Sequence, residues 1–326
     1  MALRKLSFTV SAKDANKRLD QFLAEAIPQV LSEPLSKAKI RKLIIAGAVY
    51  LNRNRVRIAS KTLLTNAQIE VYLDLAKLKA GDETSKDRQF VLSEKHILFE
   101  DEFLIAIDKP AGLPTQPTID EARNNLFQSI KNFLSKRDKK IDPYLGIHQR
   151  LDRDTSGVIL FTKDPRANLG LAQAFSTHKI TKIYQAITSL PSKPLNSTAW
   201  TIKNFLGRVR TNKGKQAKYC AVESGGESAE TEFILLEKLK TALLIEARPK
   251  SGRTHQIRVH LSEAGIPIFA DSLYEGKSSK FANRLMLHAY SLSLQHPISK
   301  KEITIISPLP SDFKQCLDSL RNINQP

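Results

Sequence analysis

A chain of 326 residues exceeds what one compact core usually encloses, so two domains are expected. Hydrophobic residues make up 41% and charged residues 26%, with no apolar run near the roughly 20 residues of a membrane span; a disordered polyelectrolyte and a helical membrane protein are excluded. Lys and Arg total 51 against 33 Asp and Glu, a net +18 that suits a polyanionic partner, and two lone cysteines, Cys220 and Cys316, read as reduced thiols of a cytoplasmic protein.

The opening stretch Met1–Val10 has no continuous apolar core or small-residue cleavage site and is not read as a signal peptide. Lys17 to Ala24 opens a helix, with Leu19, Phe22 and Leu23 at helical spacing. Ser36 can cap a second helix running through Ile45, with Ile40, Leu43 and Ile44 inward and Lys37, Lys39, Arg41 and Lys42 outward. Gly47 ends it. Val49–Asn52 and Ile69–Leu73 then read as paired strands, with Arg53, Arg55 and Arg57 in a basic turn between them. Residues 1–79 hold fifteen Lys and Arg against six Asp and Glu, half of the whole chain's excess, so this region is expected to clamp an RNA backbone.

Lys77–Arg88 is polar and aperiodic and reads as a linker. Beyond it, residues 89–323 form one domain. Strand-like runs fall at 103–108, 157–163, 180–188, 231–236, 242–247, 286–294 and 303–306; helical ones fall at 125–137, 165–177, 254–264 and 311–323. Strand and helix do not alternate strictly. The expected class is α+β: a large mixed, mainly antiparallel sheet with surrounding helices, plus the small α/β domain at 14–76.

Two polar stretches carry the candidate chemistry. His148 to Gly157 precedes the apolar strand Val158–Phe161, and Asp152 lies between Arg150 and Arg153, which favour its ionised form. Arg248 to Leu261 contains a helix with Thr254 as N-cap and Gly265 as stop; Ile257, Leu261 and Ala264 face a core, and Arg258 is held on another face, suited to pairing a carboxylate. Tyr184, on a strand among basic residues, has a ring that could stack on a base and a hydroxyl that could move a proton. His148, His255, His260 and His288 lack metal-ligand spacing, and no phosphate-binding glycine loop or hydrolase elbow occurs, so neither metal nor nucleotide is expected.

The stretch 14–76, with its helix, "Ile-x-x-Gly-x-Val" and "x-Leu-Asn", resembles the alpha-L RNA-binding module of the ribosomal protein S-four kind. "Arg-Leu-Asp-Arg-Asp-Thr-Ser-Gly" at 150–157 and "Gly-Arg-Thr-His-Gln-Ile-Arg-Val-His-Leu" at 252–261 resemble the two defining motifs of RluA-family pseudouridine synthases. The segments Asp108–Pro114, the surroundings of Tyr184, Ala270–Tyr274 and Leu287–Ala289 follow in the family's order. The resemblance implies Asp152 as the catalytic aspartate, Tyr184 as the base-stacking tyrosine, Arg258 as the partner of the aspartate and Leu287 as an apolar wall. It implies that Arg150 enters the duplex where the uridine leaves. It further implies an enzyme acting on RNA, with ribosomal RNA favoured over tRNA; a monomer without metal or cofactor is expected, and a noncatalytic RNA-binding or ribosome-assembly protein is the alternative reading. Gln149 stands where the family usually has histidine, and Ala270 where it usually has glycine.

Overall fold

The computed structural model describes residues 4–31, 35, 37–73, 90–117, 124–192, 194–209, 218–276 and 281–323. Ser36 and the linker expected at 77–88 lie outside the described residues. The chain divides into two compact units, Met1–Phe90 with Pro117–Asn124, and Val91–Gln116 with Asn125–Pro326.

The first unit contains β1 (Arg4–Thr9), α1 (Leu19–Val30), α2 (Lys37–Ala46), β2 (Val49–Leu51), β3 (Asn54–Val56) and β4 (Gln68–Leu73). The strands form an antiparallel sheet in the order β1-β4-β2-β3. Leu19, Leu23 and Ile27 recur at every fourth position of α1, Ile40 and Ile44 do so in α2, and Ile69, Val71 and Leu73 alternate along β4; together they make one buried cluster. The basic turn expected between two strands is instead a hairpin. Asn52 and Arg53 both take left-handed φ values, 50° and 65°, so β3 turns straight back on β2. Arg55 therefore lies on a strand. The edge strand β1 was not among the expected strands. Gly47, at φ 79°, closes α2, and a Cβ there would meet the Arg55 and Arg57 side chains at 3.0 and 3.1 Å.

The second unit holds β5 (Ile97–Glu100), β6 (Leu104–Lys109), α3 (Leu126–Asp138), β7 (Gly146–Ile147), β8 (Ser156–Thr162), α4 (Asn168–Ser176), β9 (Thr181–Ser189), β10 (Ala199–Val209) and β11 (Lys218–Ala221). It continues with β12 (Glu227–Lys238), β13 (Ala242–Pro249), α5 (Gln256–Glu263), β14 (Leu287–Gln295), β15 (Glu302–Ile306) and α6 (Ser311–Asn322). Among the described residues these strands make an 11-stranded sheet ordered β11-β10-β12-β13-β9-β14-β8-β6-β5, with β15 on β14 and β7 on β8. The class is the mixed, mainly antiparallel α+β expected. Among the described residues the one parallel junction joins β14 to β8 through His288↔Ser156 and Ala289↔Gly157. Gly157 makes that approach possible: at φ 117° its missing Cβ would sit 2.2 Å from the Ala289 carbonyl oxygen. The polar loop ahead of β8 is thereby brought beside β14 and β9.

Helix α6 buries Phe313, Cys316, Leu317 and Leu320 at helical spacing, in the cluster that also holds Phe233, Ile245, Ile257 and Leu261. Helix α5 departs from the amphipathic reading, because every residue from Gln256 to Leu261 is buried. Ala264, expected inward, is exposed. Thr254 does not cap α5. The N-cap is His255, at φ 59° and without a capping side-chain bond. The side chain of Gln256 instead ties the turn ahead of the helix: its Oε1 accepts the Arg253 backbone N–H at 3.0 Å and the Ser251 hydroxyl at 2.8 Å. No helix among the described residues is long and apolar enough to cross a membrane.

Candidate active site

The loop between β7 and β8 is fastened from below by a lysine. Lys109, at the end of β6 and 0% exposed, donates to the carbonyls of Pro110, Leu113 and Arg153 at 2.9, 2.9 and 3.0 Å. Burial pulls its pKa down to about 7, and the three carbonyls compensate the charge that remains. Thr115 accepts the Leu151 N–H at 3.2 Å and donates to the Leu151 carbonyl at 2.9 Å. The Thr155 N–H donates to the Asp152 carbonyl at 3.2 Å. The backbone is thus fixed on both sides of Asp152.

Arg258 reaches that aspartate from α5. Its Nη1 donates to Asp152 Oδ2 at 3.0 Å, while Nε and Nη2 grip both oxygens of Asp271 at 2.7 and 2.8 Å. Asp271 is 1% exposed, and its Oδ1 also accepts the backbone N–H groups of Leu273 and Tyr274 at 3.2 Å. The Tyr274 ring lies 5.0 Å from the guanidinium carbon. Burial opposes the charge on Arg258, but the bonds from Asp271 outweigh it and hold its pKa above the ordinary value. The arginine is a fixed cation that aligns Asp152. Ala270, where the family usually has glycine, sits at φ 57°, the left-handed conformation that a glycine enters without cost.

Asp152 and Arg258 line a cleft of about 260 Å³ together with Gln149, Arg150, Lys182, Tyr184, His255 and Leu287. Asp152 is the one carboxylate among the lining residues; Arg150, Lys182, Arg253 and Arg258 supply the cations. The Asp152 side chain keeps 27% exposure, and its Oδ1 has no partner among the described residues. Tyr184 lies on β9 opposite Ala247 of β13 and Ala289 of β14, half-buried, with burial and then the Asp152 charge pushing its pKa up, so the phenol stays protonated. Leu287 is buried on β14 and forms an apolar side of the cleft, while Arg150 is exposed at its margin. The structure therefore brings Asp152, Tyr184, Arg258, Arg150 and Leu287 to one cleft. A partly exposed anion held by a fixed cation, beside an aromatic face and a leucine, can take in a flat base with its sugar and place a carboxylate at the bond between them.

The basic residues named for RNA contact lie in the first unit. Arg53, Arg55 and Arg57 are exposed, and Arg55 donates to the Tyr50 hydroxyl at 3.0 and 2.5 Å. Arg41 donates to the buried Asp20 at 2.8 Å, and Lys39 is half-buried. Lys37 and Lys42 lie on α2, with side chains outside the described residues. Sequence reasoning did not single out Asp271, Lys182, His255 or Lys109 as site residues. Lys109-Pro110 directly after an apolar strand was a usable signal for Lys109; Lys182 and His255 join the cleft only through tertiary packing, and Asp271 bears on it through Arg258. Among the described residues no group of three or more His, Cys, Asp or Glu could hold a metal ion.

Residues 103–263 match the model of the RNA pseudouridylate synthase family. An uncharacterized RNA pseudouridine synthase of Bacillus subtilis is 32% identical over 271 residues, spanning 81% of this chain and 85% of that protein. The ribosomal large subunit pseudouridine synthase D of Zymomonas mobilis is 30% identical over 320 residues, 94% of this chain and 95% of that one. Among solved structures, human RNA pseudouridylate synthase domain containing 4 aligns with a TM-score of 0.56 at 26% identity, over 70% of this chain and 93% of that chain. With the motif residues gathered in one cleft, these agreements settle the family: the chain belongs to the RNA pseudouridine synthases of the RluA type, isomerases that convert uridine in RNA to pseudouridine.

Proposed function

We propose that this synthase modifies uridines of large-subunit ribosomal RNA, with Asp152 as the reacting carboxylate. The observation that carries the reading is the state of Asp152: the cleft's one carboxylate, aligned by Arg258, with an oxygen left open. In the reaction the N1–C1′ bond breaks, uracil leaves with the electron pair, turns, and bonds C1′ through C5; C5 then loses its proton and N1 gains one, so no atom enters or leaves. Asp152 assists either by bonding C1′ or by taking a proton from C2′. Arg258 orients the carboxylate, Tyr184 stacks on the base, and Leu287 keeps the cleft apolar on one side. Arg150 fills the gap that the uridine leaves in its stack, which offsets part of an unstacking cost of about a few kcal/mol.

The enzyme works in the cytoplasm as a monomer, without metal or cofactor. The first unit, an alpha-L module in this reading, attracts RNA through counterion release at Arg53, Arg55, Arg57 and the α2 cations. Full-length relatives named as ribosomal large subunit synthases support ribosomal RNA over tRNA. The test is a map of pseudouridines in cellular RNA with and without the protein. Loss of positions in large-subunit ribosomal RNA is the expected result. Loss confined to tRNA would overturn the substrate, and an unchanged map would overturn the whole reading.

A further inference from the structure

Beside Asp152 stands a second side chain whose proton is fixed in place. His255 Nδ1 lies 2.9 Å from the Tyr274 hydroxyl. That hydroxyl already accepts the Tyr219 backbone N–H at 2.9 Å, and its own proton has no other acceptor among the described residues. Burial holds the Tyr274 phenol up at about 12, so the proton is there to give. With Nδ1 accepting it, the ring carries its own proton on Nε2. Burial also lowers the His255 pKa, against the pull of Asp152, so the imidazole is a neutral donor. The rings of Tyr219 and Tyr274 stand edge-on to it, with centroids at 5.8 and 5.6 Å. The residue also holds a left-handed backbone, φ 59°, which a side chain with a Cβ disfavours and which tends to persist where function requires it.

Nε2 points at Asp152 Oδ2 from 3.8 Å, too far for a hydrogen bond. Arg258 already donates to that same oxygen at 3.0 Å. A second donor there would commit Oδ2 to the protein and leave Oδ1 as the oxygen that faces the sugar.

We propose that His255 is a positioning residue for the isomerisation: its Nε2–H, in a tautomer set by Tyr274, closes onto Asp152 Oδ2 when the ribose fills the cleft. The inference rests on Asp152 being the reacting carboxylate. Its effect is on the rate of the bond exchange and not on RNA affinity, because the donor acts through a side chain already in the protein.

The test uses the full chain, with single-turnover rates at saturating enzyme and RNA affinity measured side by side. His255→Leu should slow the reaction on the order of 10- to 100-fold, as misplacement of a reacting group does, with affinity within about twofold. His255→Gln, whose amide N–H reaches the place of Nε2–H, should recover most of the rate. Tyr274→Phe should slow the enzyme that has His255 and leave the His255→Gln enzyme unaffected, since an amide has no tautomer to set. That contrast decides the matter even if His255→Leu fails to fold. A wild-type rate for folded His255→Leu would overturn the proposal, and so would an equal loss from Tyr274→Phe in both backgrounds. Asp152→Ala separates the two levels. If it is inactive while His255→Leu runs at full rate, only the role of His255 falls; if it is active, the reading of Asp152 falls with it.

Discussion

Each unit of the molecule holds an aspartate against arginine, and the two aspartates differ in how much of the carboxylate is occupied. Asp20, 2% exposed, takes Arg18 on both oxygens at 3.0 and 2.9 Å and Arg41 on Oδ2 at 2.8 Å. Burial works against its charge, yet the two arginines hold its pKa below the ordinary value. Asp152 takes one arginine on one oxygen and keeps the other open to a cleft. A saturated carboxylate fixes structure; an unsaturated one remains for a substrate. The histidines repeat the contrast. His260 has both nitrogens engaged, Nδ1 with Thr231 at 3.0 Å and Nε2 with Asn204 at 2.9 Å, whereas His255 engages Nδ1 with Tyr274 and holds Nε2 3.8 Å from Asp152 Oδ2, beyond hydrogen-bond reach.

The largest effect should come at Arg258, which holds both the open Asp152 and the buried Asp271. Arg258→Met leaves Asp271 buried without its partner and Asp152 without its aligner. It should cost about 3–5 kcal/mol of stability and remove turnover even where the protein stays folded. Arg258→Lys should give an intermediate result, because an ammonium cannot grip Asp271 with two parallel bonds and still reach Asp152. Chemical unfolding and single-turnover assays check both; a fast, stable Arg258→Met enzyme would remove the link between the two aspartates.

A closed histidine should show itself through pH and stability rather than rate. Burial lowers the His260 pKa from 6.5 to about 4. The unfolded chain therefore takes up the proton first as pH falls. Stability that is complete above pH 6.5 is lost down to pH 4, about 3 kcal/mol from this group, and no more is lost below. In urea melts between pH 7 and pH 4, His260→Gln should lose less stability than the wild type; parallel losses would show that His260 is not buried in its neutral form. A smaller effect is expected at Asp20. Asp20→Asn should destabilise the first unit by about 2 kcal/mol while leaving the single-turnover rate at saturation unchanged. A rate that falls with it would break the distinction between the two carboxylates.

Much of this site was legible as sequence, though by two different routes. The order of a polar loop, the strand β8, the segment of Tyr184 and the helix α5 follows from periodicity and turn residues. The pairing of Arg258 with Asp152 came from resemblance, since no local pattern ties residues 106 positions apart. Asp271 was hidden for the same reason: its value depends on Arg258 arriving from α5. Strand β1 was legible and missed, because Leu6, Phe8 and Val10 alternate as a half-buried strand does. Strand β10 was harder, since its outer residues are exposed and its pattern is diluted by polar and glycine positions. The cap of α5 misled because Thr254 is a good N-cap by type, while the Gln256 side chain satisfied the turn instead.

The central claim is that the open oxygen of Asp152 performs the chemistry. Asp152→Asn keeps the size and shape of the side chain and removes only the charge and one oxygen. Its most direct test is a single-turnover assay with saturating folded protein, with RNA affinity measured on the same preparation. The expected result is affinity within about twofold of wild type and no pseudouridine formed. Pseudouridine appearing at a rate near that of the wild-type enzyme would contradict it.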